Sequence, residues 1–243
     1  MPKRPRRVPD KFKVMHNVFD EFTNRTLYKL ISEGHFDGLE SPISIGKEAN
    51  IFSAKKGDGR VMIKIYRLES CDFNVMYDYI KEDPRYTGLK GKKRKIIFAW
   101  VQREYRNLMK ARQAGVNVPI PILFKNNVLV LEFIGEDGMV APKLKDKVPQ
   151  NLRKFFNEIV NNMKKLYKAE LVHADLSSFN ILNFNEKPVL IDFSQCSTNR
   201  NPRYGEFLQR DVKNVIYFFK KNGLEIDEKL VMKGIVEQYN KQQ

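Results

Sequence analysis

Only two cysteines stand among the 243 residues, Cys71 and Cys196, and neither belongs to a C-x-x-C pair or a Cys/His ligand spacing. That scarcity excludes a disulfide framework and a structural zinc centre, and both thiols are expected to be free. Long apolar runs are missing too. No stretch approaches the roughly 18 apolar residues of a membrane-spanning helix, and the arginine-rich start has no apolar core behind it to make a secretory signal. The expected setting is therefore the cytoplasm, with no membrane partner. Carboxylates are the third shortage, 29 against 44 Lys+Arg, which leaves a formal net charge of +15. An excess of that size favours attraction to polyanions such as nucleic acid or nucleotides, although a solubilising lysine surface would give the same sum. Clustering argues for a partner: residues 1–13 hold six basic side chains against Asp10, and residues 85–112 hold ten against Glu104.

The chain length suits one compact globule, with room for two lobes. Residues 17–36 place Phe19, Phe22, Thr26 and Leu30 on one face and stop near Gly34, which predicts a helix. Residues 41–68 alternate short apolar runs with "GKEA" and "KKGDGR", which predicts three strands, one functional turn and one hairpin turn. Residues 70–95 are rich in Pro, Gly and Lys without a sustained period, and the expectation there is a long, mobile basic loop. Tyr79, Tyr86 and Phe98 around it are packing anchors or base-stacking platforms. A helix over 96–115 carries an apolar stripe that Glu104 interrupts, and a hairpin over 121–135 turns at Asn126 and Asn127. After a polar linker, 151–170 matches a helix, two short strands flank "NEKP", and helices over 204–222 and 227–240 close the chain. The organisation expected is a basic arm and helix (1–40), a strand-rich lobe (41–135) and a mainly helical lobe (136–243).

Two sets of residues in this layout carry chemistry. Asp175, Asn180 and Asp192 follow a long helix at intervals of five and twelve residues, the last at the end of an apolar strand. Hard oxygen donors of this kind suit Mg²⁺ shared with phosphates, with Asn180 and Asp192 as ligands, and leave Asp175 to orient or deprotonate a nucleophile. Lys64 sits in the apolar strand "VMIKIY", where an inward ammonium needs anions; Glu104 and phosphate oxygens would supply them. The bland alternatives are an edge lysine pointing to water and a glutamate at the wet rim of its stripe.

The order strand, turn, strand, strand lysine, helix glutamate, hinge strand, H-x-D-x-x-x-x-N and I-D resembles the protein-kinase fold. That implies an α+β, bilobal architecture: an antiparallel β-sheet plus helix in the N-lobe and a truncated, mainly helical C-lobe. Two departures narrow the resemblance. Ser44-Ile45-Gly46-Lys47-Glu48-Ala49-Asn50 replaces a glycine-rich loop, and 51 residues follow Asp192, too few for a full substrate-binding subdomain. With "HADLSSFN" and "IDFSQ", these features resemble the RIO atypical serine/threonine kinases, best the Rio-one subgroup. A Rio-two member would begin with a winged-helix domain, for which the residues before Ser41 leave little room.

The resemblance implies ATP with Mg²⁺, or Mn²⁺ in its place, as cofactors. It implies that Lys64, paired to Glu104, holds phosphates, while Ser44, Gly46, Lys47, Glu48, Ala49 and Asn50 shape the phosphate loop. Backbone groups of Glu132 and Ile134 would meet adenine, Asp175 would be the catalytic aspartate, and Asp192 would be both metal ligand and acceptor of an aspartyl phosphate. His173 is expected to pack rather than act as a base. The implied partner is a precursor of the small ribosomal subunit and its rRNA, approached through the basic segments. Two other classes remain open at this point: an RNA- or ribosome-binding scaffold with a non-catalytic nucleotide site, and a small-molecule phosphotransferase of the aminoglycoside type.

Overall fold

The computed structural model describes residues 19–81 and 88–240. The basic run at 1–13, the expected helical residues 17 and 18, and Tyr86 lie outside them. Helix α1 (Glu21–Ser32) starts where the Asp20 carboxylate accepts the Thr23 N–H at 2.9 Å and ends before Gly34, whose φ of +77° suits a residue without a Cβ. Strands β1 (Gly38–Ile45), β2 (Ala49–Lys56) and β3 (Gly59–Tyr66) follow as a meander. Between them and helix α3 (Lys93–Gln113) lies helix α2 (Phe73–Ile80). Strands β4 (Pro121–Lys125) and β5 (Val128–Glu132) complete an antiparallel sheet of order β1-β2-β3-β5-β4, their hairpin turning through Asn126 at φ +53°.

Strand β3 sorts its side chains by pleat. Val61, Ile63 and Ile65 pack with Leu27, Leu30 and Phe36 under α1, whereas Met62 and Tyr66 face the larger core shared with α3 and the C-lobe. Lys64 shares the second parity. The N-terminal helix is thus bound into the core of the sheet's outer face, and the sheet's inner face looks into the molecule.

The expectation of a loop across 70–95 is corrected. Asp72 caps α2 by accepting the Asn74 and Val75 N–H groups, and Met76 and Ile80, one turn apart, are buried. Eight residues are too short a window for a period to stand out against the Pro/Gly/Lys-rich stretch beyond. At the other end, Lys93, Arg94 and Lys95 form the exposed first turn of α3 rather than loop, and residues 82–87 are not described.

Beyond the small hairpin β6 (Gly135–Glu136) and β7 (Met139–Val140), the C-lobe is built on α4 (Leu152–Lys168), whose Phe155, Phe156, Ile159, Met163 and Leu166 are buried. Strands β8 (Leu171–Val172), β9 (Ile181–Phe184), β10 (Lys187–Leu190) and β11 (Ser197–Thr198) form two short ladders, β9 with β10 and β8 with β11. Helices α5 (Tyr204–Lys221) and α6 (Glu228–Asn240) pack with α4. The fold is α+β and bilobal, as its sequence pattern implied. Among the described residues no helix is long and apolar enough to cross a membrane.

Candidate active site

The pleat of β3 sends Lys64 inward, and its partners come from two other elements. Its Nζ donates to Glu104 Oε1 at 2.8 Å and to Asp192 Oδ1 at 2.9 Å. Glu104, 1% exposed on α3, also accepts from the Tyr66 hydroxyl. A buried ion stripped of its partner costs about 3–5 kcal/mol, so each member of this group depends on the others. Burial opposes the charge on Lys64, but Asp192 and Glu104 outweigh it and push its pKa well up. The lysine is held protonated.

Above it, the β1–β2 turn is drawn tight. The Gly46 N–H donates to the Ala49 carbonyl at 3.1 Å, and a Cβ at Gly46 would stand only 2.9 Å from that oxygen, so a larger residue there would force the turn open. The turn is tied down from below: Ser70 Oγ donates to Lys47 O at 3.0 Å, and Arg67 N–H donates to Glu48 O at 2.9 Å. Burial and the Asp192 charge raise the pKa of the Glu48 carboxyl. Asn50 is buried, and its Oδ1 has no hydrogen-bond partner among the described residues.

The floor is the segment from His173 to Asn180. Ala174 stands at φ +66°, a region a residue with a Cβ occupies at a cost of about 1–3 kcal/mol. What holds it there comes from α5: Asp211, 1% exposed, accepts the Ala174 N–H at 2.8 Å and the Leu176 N–H at 2.9 Å. Arg210 donates to the Ala174 carbonyl, and Asn214 Nδ2 to Leu176 O at 3.2 Å. Asp175 is thereby turned towards Asn180, whose Nδ2 donates to its carbonyl at 2.8 Å and to its Oδ2 at 3.0 Å. His173 is buried; its Nε2 lies 3.0 Å from Ile191 O and its ring meets Phe193 edge-on. Burial depresses its pKa to about 4, so it stays neutral and supports the floor as a packing residue.

Asp192 follows β10 at φ +64°. Its Oδ1 accepts from Ser194 Oγ at 2.7 Å as well as from Lys64. Helix α3 clamps the residues beyond it: Arg103 donates to Ser194 O and, at 2.8 Å, to Cys196 O, while Asn107 Nδ2 donates to Phe193 O at 3.1 Å. Burial alone would raise the Asp192 carboxyl, but Lys64 and Ser194 overcome it and hold the pKa at about 2. Asp175 goes the other way, raised by burial and by the Asp192 charge. Two neighbouring carboxyls with pKa values pushed apart suit an anionic ligand or nucleophile and a proton acceptor. Between roof and floor lies a cleft of about 300 Å³, walled by Met62, Leu131, Leu182 and Ile191 and reaching Lys64 and Asp192.

The family described as RIO domain matches residues 50–231. The chain belongs to the RIO family. It is 41% identical over 219 residues to the RIO-type serine/threonine-protein kinase Rio1 of Haloferax volcanii, covering 90% of this chain and 76% of that one. Against Rio1 of Methanocaldococcus jannaschii it is 40% identical over 234 residues, covering 96% and 80%. The human serine/threonine-protein kinase RIO1 is 34% identical over 218 residues, which span 87% of this chain and 38% of the human protein. Among solved structures, the Rio2 kinase of Chaetomium thermophilum in an ADP/Mg²⁺-phosphoaspartate complex aligns with a TM-score of 0.66 at 21% identity, over 87% of this chain and 65% of that one, a likeness of fold.

In this RIO chain, Ser44, Lys64, Glu104, Ile134, Asn180 and Asp192 line the cleft. Asp175 adjoins it through Asn180, and Gly46 to Asn50 form the turn and the strand start above. Glu132 stands at its hinge end with its N–H given to Ile120 O at 2.8 Å and its carboxylate accepting the Ile120 N–H at 2.9 Å. The Ile134 carbonyl accepts the Ala141 N–H at 2.9 Å. Sequence reasoning missed the apolar walls, the Asp211 and Arg210 pins, and Ser194. Met62 was within reach, because it shares the parity of Lys64 on β3. Asp211 gave no local signal, lying 37 residues from the Ala174 N–H that it holds.

Tyr79 and Phe98 are packed: Tyr79 against Trp100 and Phe207, and Phe98 stacked on Phe22 at 5.6 Å. Cys71 and Cys196 are free and buried, and burial pushes both thiols up to about 12, far from reactivity.

Proposed function

We propose that this RIO chain binds ATP in the cleft and transfers its γ-phosphoryl group, first to Asp192 and then to a serine or threonine hydroxyl or to water. The observation that carries the reading is the Lys64 ammonium held between Glu104 and Asp192. It places a fixed positive charge beside a carboxylate kept ionised, where phosphates would enter. Adenine would lie between the apolar walls against the hinge, and Ser44 and Lys47 would donate to phosphate oxygens.

The residues present also fit a magnesium ion. Asn180 gives its Nδ2 to Asp175, which leaves Oδ1 to face a cation, and Asp192 has Oδ2 left over. Among the described residues no cluster of three or more His, Cys, Asp or Glu is placed to hold a metal, so phosphate oxygens would complete the shell, as Mg²⁺ prefers. The ion would supply neutralisation of phosphate charge.

In the first step a bond forms between an Asp192 carboxylate oxygen and Pγ, and the bond from Pγ to the bridging oxygen breaks, its electron pair leaving with ADP. In the second step the acceptor oxygen attacks the phosphorus, the acyl phosphate bond breaks, and the raised carboxyl of Asp175 takes the acceptor's proton. The target we propose is a small-subunit ribosomal precursor, supported by the charge of +15 and the family resemblance.

The test uses γ-labelled ATP and Mg²⁺ with and without small-subunit particles. Wild type is expected to acquire a hydroxylamine-labile label; Asp192→Asn should lose it altogether, because an amide cannot form the acyl phosphate, and Asp175→Ala should keep the label but stop passing it on. No label and no phosphate release from wild type would leave the scaffold class standing. Label on an aminoglycoside alone would select the small-molecule phosphotransferase, and unchanged rates with particles would remove the ribosomal target.

A further inference from the structure

Helix α5 is divided by face. Phe207, Leu208, Val212, Val215, Ile216 and Phe219 are buried. At 100° per residue, Gln209, Arg210, Lys213, Tyr217 and Lys220 share the opposite stripe, and all five are exposed. Tyr217 is 71% exposed, and neither a hydrogen bond nor a ring contact engages it among the described residues. Its neighbours one turn away on either side, Lys213 and Lys220, have no ion pair there either. Between Phe207 and Gly223 the one carboxylate is Asp211, which is buried under the catalytic loop. Glu206, at the start of the stripe, is paired with Arg203 at 3.1 Å. Helix α6 packs on α4 and α5, and among the described residues the stripe stays exposed.

A phenol ring left in water gives up about 2 kcal/mol of burial, and unpaired ammonium groups on both sides of it bar an apolar partner. The combination fits a ligand that is anionic and carries flat π-faces. An acidic peptide would satisfy the lysines but not the ring, and a duplex keeps its base faces stacked inside. We propose that this stripe docks single-stranded nucleic acid, with Lys213 and Lys220 on backbone phosphates and Tyr217 stacked on an unpaired base. The same helix pins the catalytic loop through Arg210 and Asp211, so a strand laid on the stripe runs towards Asp175. The proposal does not rest on the phosphoryl-transfer reading.

The test measures anisotropy of a labelled 12-nucleotide single-stranded RNA with the full chain, against duplex RNA and poly-glutamate as competitors. Tyr217→Ala is expected to weaken RNA binding about tenfold with the salt slope unchanged, while Tyr217→Phe stays near wild type. Lys213→Ala with Lys220→Ala should lower the salt slope by about 1.4. Because the basic run at 1–13 would also attract a polyanion, photocrosslinking with 4-thiouridine RNA provides a local readout, expected on the peptide containing Tyr217. Crosslinks confined to other segments, or wild-type affinity in Tyr217→Ala, would overturn the proposal. Poly-glutamate or duplex RNA displacing the strand as well as unlabelled single strand does would overturn it in favour of a purely electrostatic face.

Discussion

The roof and the floor of the cleft fix their charges by different means. In the roof, Lys64 lies on a regular strand and is aimed by the pleat; its position is kept by ionic partners, Glu104 and Asp192. In the floor, Asp175 and Asp192 are aimed by backbone bends, Ala174 at φ +66° and Asp192 at φ +64°. Their positions are kept by hydrogen bonds between peptide groups and side chains of other helices: Asp211 on α5 accepts the Ala174 N–H, and Arg103 on α3 donates to the Cys196 carbonyl beyond Asp192. A charge on a strand needs only partners. A charge on a strained loop needs the loop itself held, so fold stability should be coupled more tightly to the floor than to the roof.

The largest effect is expected at Asp211. Replacing it with alanine leaves two buried N–H groups without an acceptor and frees the strained turn, at about 4 kcal/mol. A denaturant midpoint should fall accordingly, with phosphoryl transfer lost in the same variant; unchanged stability would show that the floor needs no pin.

Next comes the acid limb. His173 titrates near 6.5 when unfolded and near 4 when folded, so the unfolded chain binds its proton first. The stability it contributes is complete above pH 6.5 and is lost as pH falls through about 4, an effect of about 3 kcal/mol. The stability gap between wild type and His173→Gln should therefore narrow across that window. A gap independent of pH would mean that the imidazole is charged inside the fold.

The roof gives the smallest change in stability. In Glu104→Gln, the amide oxygen still accepts from Lys64 and Asp192 still answers its charge, but the buried Tyr66 hydroxyl loses its carboxylate acceptor, so stability should fall by about 2 kcal/mol. Activity should fall about 30-fold, because the ammonium is drawn towards Asp192 and away from the phosphates. A stability loss matching that of Asp211→Ala would erase the distinction between roof and floor.

The same distinction explains what the sequence disclosed. Lys64 and Glu104 were legible because each breaks a regular pattern, a charge in an apolar strand and a carboxylate in an apolar stripe. Asp175, Asn180 and Asp192 were legible as residue types at a spacing. The bends that aim two of them were hidden, since neither is glycine and nothing local marks Ala174 as left-handed. Helix α2 was hidden as well: two buried residues one turn apart cannot outweigh the Pro/Gly/Lys-rich stretch that follows. The apolar walls of the cleft come from β3, β5, β9 and the residue that follows β10, and only the fold assembles them.

Ala174 has a further consequence for anyone improving this protein. Glycine would occupy the same left-handed conformation without the strain, so a selection for heat resistance alone would favour glycine at 174. It would also give the neighbouring carboxylate a softer hinge, trading the aim of Asp175 for thermal tolerance.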